Sequence, residues 1–344
     1  MRIPGLGKLQ RIEQKLQKRL ASKGLILMYH RVTEVDLDPW SLSVTPQHFA
    51  EHLEVLQEYA HPISLQQLAQ AHRDGNIPHR AVAITFDDGY ADNLYHAKPL
   101  LERYDIPATV FVSTGYIGKE REFWWDELER LLLQPPKLPE KLSLNISGSI
   151  QHWDLGAAVD YTTQDYQRDR SCLAYEAQPG SRMFFYYSIW QILRPLLEAE
   201  RQKALDEILL WATAEPKPRS THRALLPEEL SVLGQGELVE IGAHTVTHLF
   251  LSAQSTVLQR NEIQQSKVRL EEMIERPVRS FSYPFGDYSV ETVELVQSSG
   301  FDYACSTIQD IVWRQSNSFQ LPRVGVENWN GEEFAKHLLR WFHA

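Results

Sequence analysis

Asp87 and Asp88 stand side by side at the end of the apolar run Ala81-Val82-Ala83-Ile84-Thr85-Phe86, and Gly89 follows them. Two adjacent carboxylates at such a place repel each other and lose hydration, and a cation would relieve both penalties. Taken alone, Asp-Asp-Gly reads first as a turn, because Asp-Gly is ordinary turn chemistry. Further along, His244-Thr245-Val246-Thr247-His248 spaces two histidines four residues apart. That spacing predicts both imidazoles on one face of a helical turn, within reach of one ion. A lone pair at this spacing is equally a chance pair on a solvated helix. The two motifs together are more specific. Two histidines and one carboxylate leave coordination positions open, as a hydrolytic metal requires.

Both motifs follow apolar strands, and so do other polar residues. Leu25 to Tyr29 reads as a buried strand ending at His30. Leu238 to Gly242 leads to His244, and Arg279 to Tyr283 leads to the turn Pro284-Phe285-Gly286. Between such runs lie helical patterns, including Pro46 to Tyr59, Leu94 to Tyr104, Val257 to Ile274 and Val290 to Ser298. This alternation predicts βα units around a parallel sheet. In a parallel barrel the C-terminal strand ends converge on one face, so these polar residues would meet there. The rhythm breaks from about Gly115 to Leu226, where Pro135, Pro136 and Pro139 punctuate a region with few strand signals and a helical stretch runs from Phe184 to Ala214. The fold expected is α/β, a distorted (β/α) barrel of about seven parallel strands over residues 24–344. Residues 115–226 form a largely helical insertion in it, a lid or substrate wall.

Composition narrows the function classes. The 344 residues carry 35 Lys and Arg against 45 Asp and Glu, a net charge of -10. A general nucleic-acid binder would need a basic face, so no nucleic-acid partner is expected. Cys172 and Cys305 form no disulfide framework and fit a reducing compartment. No stretch approaches the ~20 apolar residues that span a bilayer, so no transmembrane segment is expected. Residues 1–23 are basic, with Arg2, Lys8, Arg11, Lys15, Lys18, Arg19 and Lys23 against Glu13, and lack the apolar core of a secretory signal. Leu6, Leu9, Ile12, Leu16 and Leu20 recur at helical spacing, which predicts an amphipathic helix. It either docks on the domain or touches a membrane surface or partner. The location expected is cytoplasmic, with peripheral contact at the inner membrane through residues 1–23.

Thr85-Phe86-Asp87-Asp88-Gly89, followed by His244-Thr245 with His248, and then by Tyr283-Pro284-Phe285-Gly286, resembles the polysaccharide deacetylase family (carbohydrate esterase family 4). The resemblance runs from about Leu25 to Phe334 apart from the insertion. Met28 to Val32, Phe123 to Leu128 and Leu321 to Val326 resemble a bacterial subgroup whose motif order is circularly permuted. The resemblance implies that Asp87 is the catalytic base and that Asp88, His244 and His248 hold a divalent metal. Zinc is the usual ion, although cobalt, nickel or iron suit the same donors. It further implies removal of N-acetyl groups from a glycan by a metal-activated water of pKa lowered toward ~7, with the backbone N–H of Phe285 at the oxyanion and His30 as the acid. Tyr283 and Trp125 are expected beside the substrate.

Three departures from the family pattern bear on this reading. Ser282 stands where most members have an arginine that orients the base. Arg323 is either its substitute or a structural ion pair. No Asp-Trp motif supports the histidine, and Glu327, Asn328 and Trp329 are candidates by proximity alone. Trp124, Trp125 and Asp126 line the substrate groove or belong to an aromatic core. Two other functions stay open beside deacetylation: a carbohydrate-binding protein on a degenerate deacetylase fold, and a metal hydrolase of a non-sugar amide.

Overall fold

The computed structural model describes residues 23–343. The helix expected over 1–23 lies outside them, apart from Lys23, which opens the first strand. Six strands run parallel: β1 (Lys23–Tyr29), β2 (Ala81–Phe86), β3 (Ala108–Val112), β4 (Val239–Ala243), β5 (Ser280–Ser282) and β6 (Tyr303–Cys305). Each pairs with the next in the chain, as helical crossovers between successive parallel strands dictate. The last strand segment closes the curl. Leu321 bridges Cys305 of β6 in parallel, and β7 (Val324–Gly325) pairs in parallel with Leu27 and Met28 of β1. The result is a distorted barrel of seven parallel strands, with Arg323 on the segment that joins its two edges.

Strand β2 is buried at every position, the continuous apolar run of a strand covered on both faces. Alternate side chains divide between two cores. Val82, Ile84 and Phe86 pack with helix residues such as Leu53, Leu101 and Ile263, outside the sheet. Ala81 and Ala83 pack with Ile26, Phe111, Tyr303 and Cys305, inside it. Continued by two residues at a time, the inner face passes to Thr85 and then Asp87. Inside the barrel the strands approach closely at Gly242, where a β-carbon would lie 2.4 Å from Phe111 Cδ1 and 2.7 Å from Ser280 Oγ.

Between β3 and β4 the chain builds a second core. Helices α1 (Trp124–Leu133), α2 (Arg182–Leu193) and α3 (Glu198–Trp211) pack around Trp124, Leu128, Ile189 and Leu205. Buried Arg182 donates to the carbonyls of Leu132, Pro135, Ala158 and Val159, tying this region to itself. Lys141–Ile146 and Ser149–Asp154 form a β-hairpin where no strand was expected. Only Leu142 and Leu144 of its first strand are buried, too few to register as an alternating pattern. The stretch from Phe184 to Ala214 is two helices, interrupted at Pro195, whose ring cannot continue a helix. Beyond β4, helix α4 (Thr256–Ile274) packs back on the barrel. No described helix is long and apolar enough to cross a membrane.

The close approach at Gly242 is testable. Gly242→Ala is expected to destabilise the fold by about 1–3 kcal/mol through overpacking. Denaturant melts should show a lower midpoint with an unchanged slope, and an unaltered midpoint would contradict this account of the interior.

Candidate active site

Backbone hydrogen bonds tie the strand ends into one rim. Asp87 N–H donates to the Tyr29 carbonyl at 3.0 Å, Ser113 N–H to Asp88 at 3.1 Å and His244 N–H to Val112 at 3.1 Å. Past β3, the N–H groups of Thr114 and Gly115 donate to Thr245 and Val246 at 3.1 and 2.7 Å. A β-carbon on Gly115 would lie 2.6 Å from the Val246 oxygen, so only glycine lets these segments run so close.

The two carboxylates meet different partners. Asp87 receives a bidentate contact from Arg323, with Nη1 to Oδ1 and Nη2 to Oδ2 both at 2.7 Å. Arg323 is fully buried. Its Nε donates to Ser306 O at 2.9 Å, Nη2 to Ser282 Oγ at 2.8 Å and Nη1 to Thr85 Oγ1 at 3.2 Å. Every N–H of the guanidinium is therefore engaged. Burial alone would raise the Asp87 carboxyl, but Arg323, His244 and His30 outweigh it and hold the group below the usual carboxylate range. Of the two readings of Arg323, the geometry favours the partner of Asp87. The small Ser282 leaves its guanidinium room and itself lies 3.3 Å from Asp87 Oδ2.

Asp88 turns away from its neighbour, with φ at 78°. Its Oδ1 lies 3.3 Å from His248 Nε2 and 3.6 Å from His244 Nε2, and is buried with no hydrogen bond. Ligand atoms of these three residues lie within 4.8 Å of one another. Burial, then Asp87 and Asp126, push the Asp88 carboxyl well up, and burial pushes both imidazoles down. Each of these costs would be removed by one shared cation. His244 Nδ1 sits 2.7 Å from the Ser282 carbonyl, which assigns the proton to Nδ1 and leaves the Nε2 lone pair toward Asp88. The donor set and its unpartnered oxygen fit a divalent metal.

The histidines reach this arrangement by a route the spacing did not predict. Residues 244–248 are a loop, not a helical turn, with φ at 62° for Thr245 and 51° for His248. Left-handed residues end a helix, and other groups satisfy the backbone here. Glu262 of α4 accepts from the N–H of Val246 at 2.9 Å and of Thr247 at 2.8 Å, and from Thr247 Oγ1 at 3.1 Å. Arg201 of α3 donates to the Thr247 carbonyl at 3.0 Å. Nothing in the local sequence marked these two residues, because each acts through backbone far away in the chain.

The other expected site residues divide. The Phe285 ring, on a residue with φ at 59°, lies 4.3 Å from the His248 ring. The buried Trp125 ring lies 4.7 Å from His248, and its Nε1 donates to Tyr90 Oη at 2.8 Å, which donates in turn to Asp126 at 2.8 Å. Burial pushes Asp126 up to about 7 against the pull of Arg31 and Arg219. Trp124, by contrast, is fully buried in the second core. Tyr283 is not at the site. Its hydroxyl donates to Phe319 O at 2.9 Å, and its ring packs on Phe281 and Tyr288. The pleat explains this, since Ser282 points inward and the next residue must point outward. His30 is half-buried at the end of β1. Burial lowers its imidazole to about 4, while Asp87 favours the protonated form. Asn328 and Trp329 are engaged elsewhere. The former meets Thr45 and His48, and the carbonyl of the latter faces His52. Glu327 is exposed.

The profile of the polysaccharide deacetylase family matches residues 74–135 and 208–304, which hold Asp87, Asp88, His244 and His248. Over these two segments the chain is similar to the polysaccharide deacetylase family. Among polysaccharide deacetylase relatives, the poly-beta-1,6-N-acetyl-D-glucosamine N-deacetylase of Staphylococcus epidermidis is 28% identical, with 47% of this chain and 68% of that protein covered. The Streptococcus pyogenes deacetylase PplD, solved with acetate, superposes with a TM-score of 0.56 at 17% identity, covering 94% of this chain and 99% of that one. IcaB from Ammonifex degensii gives 0.58 at 16% identity over 94% and 98%. At such identities the structures bear on the fold alone. The unmatched residues 136–207 contain the hairpin and α2.

Two outcomes follow from the geometry. Titrating metal-stripped protein with Zn²⁺ should fill one site. Asp88→Asn should abolish it and Glu262→Gln weaken it about tenfold by loosening the loop. Unchanged affinity in Asp88→Asn would remove this site. Separately, Arg323→Met leaves Asp87 buried without a cation and should cost about 3–5 kcal/mol at neutral pH. Because Asp87 is depressed in the folded protein, its contribution is present above the ordinary range near ~3.9 and lost as pH falls toward the folded value. The gap between wild type and variant in denaturant melts should therefore narrow on acidification.

Proposed function

We propose that this protein is a metal-dependent hydrolase that removes N-acetyl groups from a carbohydrate. The observation that carries the reading is the division of labour between adjacent carboxylates. Asp87 is held ionised by Arg323, whereas Asp88 faces two imidazoles with an oxygen free of hydrogen bonds. A divalent cation held by Asp88, His244 and His248, zinc being the ion this donor set suits, would polarise the amide carbonyl and acidify a water. Asp87 accepts the proton of that water as it attacks. Arg323 keeps the accepting carboxylate in one orientation throughout. The N–H of Phe285 donates to the carbonyl oxygen as charge builds on it.

His30 gives a proton to the departing amine. Burial leaves its imidazole neutral at neutral pH, so the proton that Asp87 takes from the water must pass to His30 and from it to the amine. Asp87, ionised again once it has given up that proton, and negative charge developing on the substrate favour the protonated form of His30. Trp125 and Phe285 flank His248, and the half-buried Phe285 offers a ring face to a sugar while Trp125 backs the site from within the core. The name of the staphylococcal relative supports an N-acetylated hexosamine polymer or its precursors as substrate.

The test is acetate release from a panel of N-acetylated oligosaccharides, with and without chelator. Wild type should release acetate only with metal, and Asp87→Asn should bind metal normally yet lose about 10²–10⁴-fold in kcat. Metal-loaded wild type that releases nothing from any glycan would favour a carbohydrate-binding protein on the same fold. Release from simple amides alone would favour a non-sugar amidohydrolase.

A further inference from the structure

Arg194 ends helix α2 in the region that the family profile leaves unmatched. Other arginines around the site have carboxylates: Arg31 has Asp92, Arg201 has Glu198, Arg219 has Glu122 and Arg323 has Asp87. Arg194 forms no ion pair and no side-chain hydrogen bond among the described residues, and its Nε is buried without a partner. Its guanidinium lies instead among three rings, 4.5 Å from Phe250, 4.9 Å from Trp190 and 6.0 Å from Phe285. Ring faces steady a cation but supply no strong acceptor for its N–H groups. A half-buried guanidinium of this kind suits a carboxylate or phosphate, which it can bind through paired hydrogen bonds.

Its position is what gives this meaning. Phe285 touches both Arg194 and His248, at 6.0 and 4.3 Å. From Phe285 the rings continue to Trp190 at 6.0 Å and on to half-buried Trp40 at 4.2 Å. A row of aromatic rings thus runs from the candidate metal centre along the second core, with an unpaired cation beside it. The chain as a whole carries a charge of -10, so an anionic ligand would be repelled without a local cation to receive it.

We propose that Arg194 determines specificity by binding an anionic substituent, a carboxylate or a phosphate ester, on a sugar neighbouring the one that loses its acetyl group. This rests on reading the site as a glycan deacetylase. The competing account is that Arg194 merely caps the α2 dipole and packs on Trp190. That account predicts no preference among ligands.

The experiment compares three matched N-acetylated oligosaccharides: one neutral, one with a carboxylate on the adjacent sugar, and one with a phosphate ester there. Binding to metal-loaded protein is measured by calorimetry, and acetate release is followed in parallel. At least one anionic glycan should bind about tenfold or more tightly than the neutral one, with a preference that shrinks as salt rises. Which anion wins distinguishes the two sources of charge. Arg194→Gln should remove the preference by weakening the anionic glycan selectively, and Arg194→Lys should keep part of it. The salt dependence in wild type needs no variant to fold. Equal affinity for all three glycans, no binding of either anionic one, or an equal loss for all three in Arg194→Gln overturns the proposal. A preference that persists without acetate release from any glycan would overturn the deacetylase reading instead.

Discussion

Neighbouring buried carboxylates at the mouth of a barrel cannot both stay ionised unless each has its own positive partner. This constraint organises the whole rim. The chain turns at Asp88, so the two side chains diverge. Asp87 stays on the inner face of the sheet and takes the Arg323 guanidinium. Asp88 goes to the two histidines and keeps an oxygen that no protein donor satisfies. One of the pair is thereby held ionised by protein alone, while burial pushes the other toward its neutral form. Identical side chains take on different ionisation because their surroundings differ.

Barrel closure is what makes the first pairing available. Arg323 lies on the segment that bridges β6 to β1, and its N–H groups reach Ser306, Ser282 and Thr85 as well as Asp87. The guanidinium therefore holds several strand ends together while it orients the carboxylate. Ser282 contributes twice. Its side chain accepts from Arg323, and its carbonyl receives His244 Nδ1. A single small residue thus connects the Arg323–Asp87 pair with His244.

The region between β3 and β4 acts on the same rim from outside. Arg201 of α3 holds the histidine loop by its backbone, and the packing of α1 brings Trp125 against His248. Tyr90, two residues beyond Asp88, meets both Trp125 and Asp126 through its hydroxyl. This second core thus packs against the rim from helices rather than from a free loop.

The main parallel strands and the identity of the polar residues at their ends were legible in the sequence, since an apolar run such as Ala81 to Phe86 encodes burial within a few residues. The Asp-Asp-Gly and the two histidines could be read for the same reason. Tyr283 was placed wrongly because the pleat reverses at every residue, and sequence alone left open whether it or Ser282 faced inward. The histidine loop was read as a helical turn because its positive φ angles depend on Glu262 and Arg201, which are remote in the chain. Arg323 remained undecided between two roles, as its partner lies 236 residues away. Local pattern determined which residues reach the mouth of the barrel. Only tertiary structure decided which of them pair, because a buried charge is stabilised by whatever the closed fold places beside it.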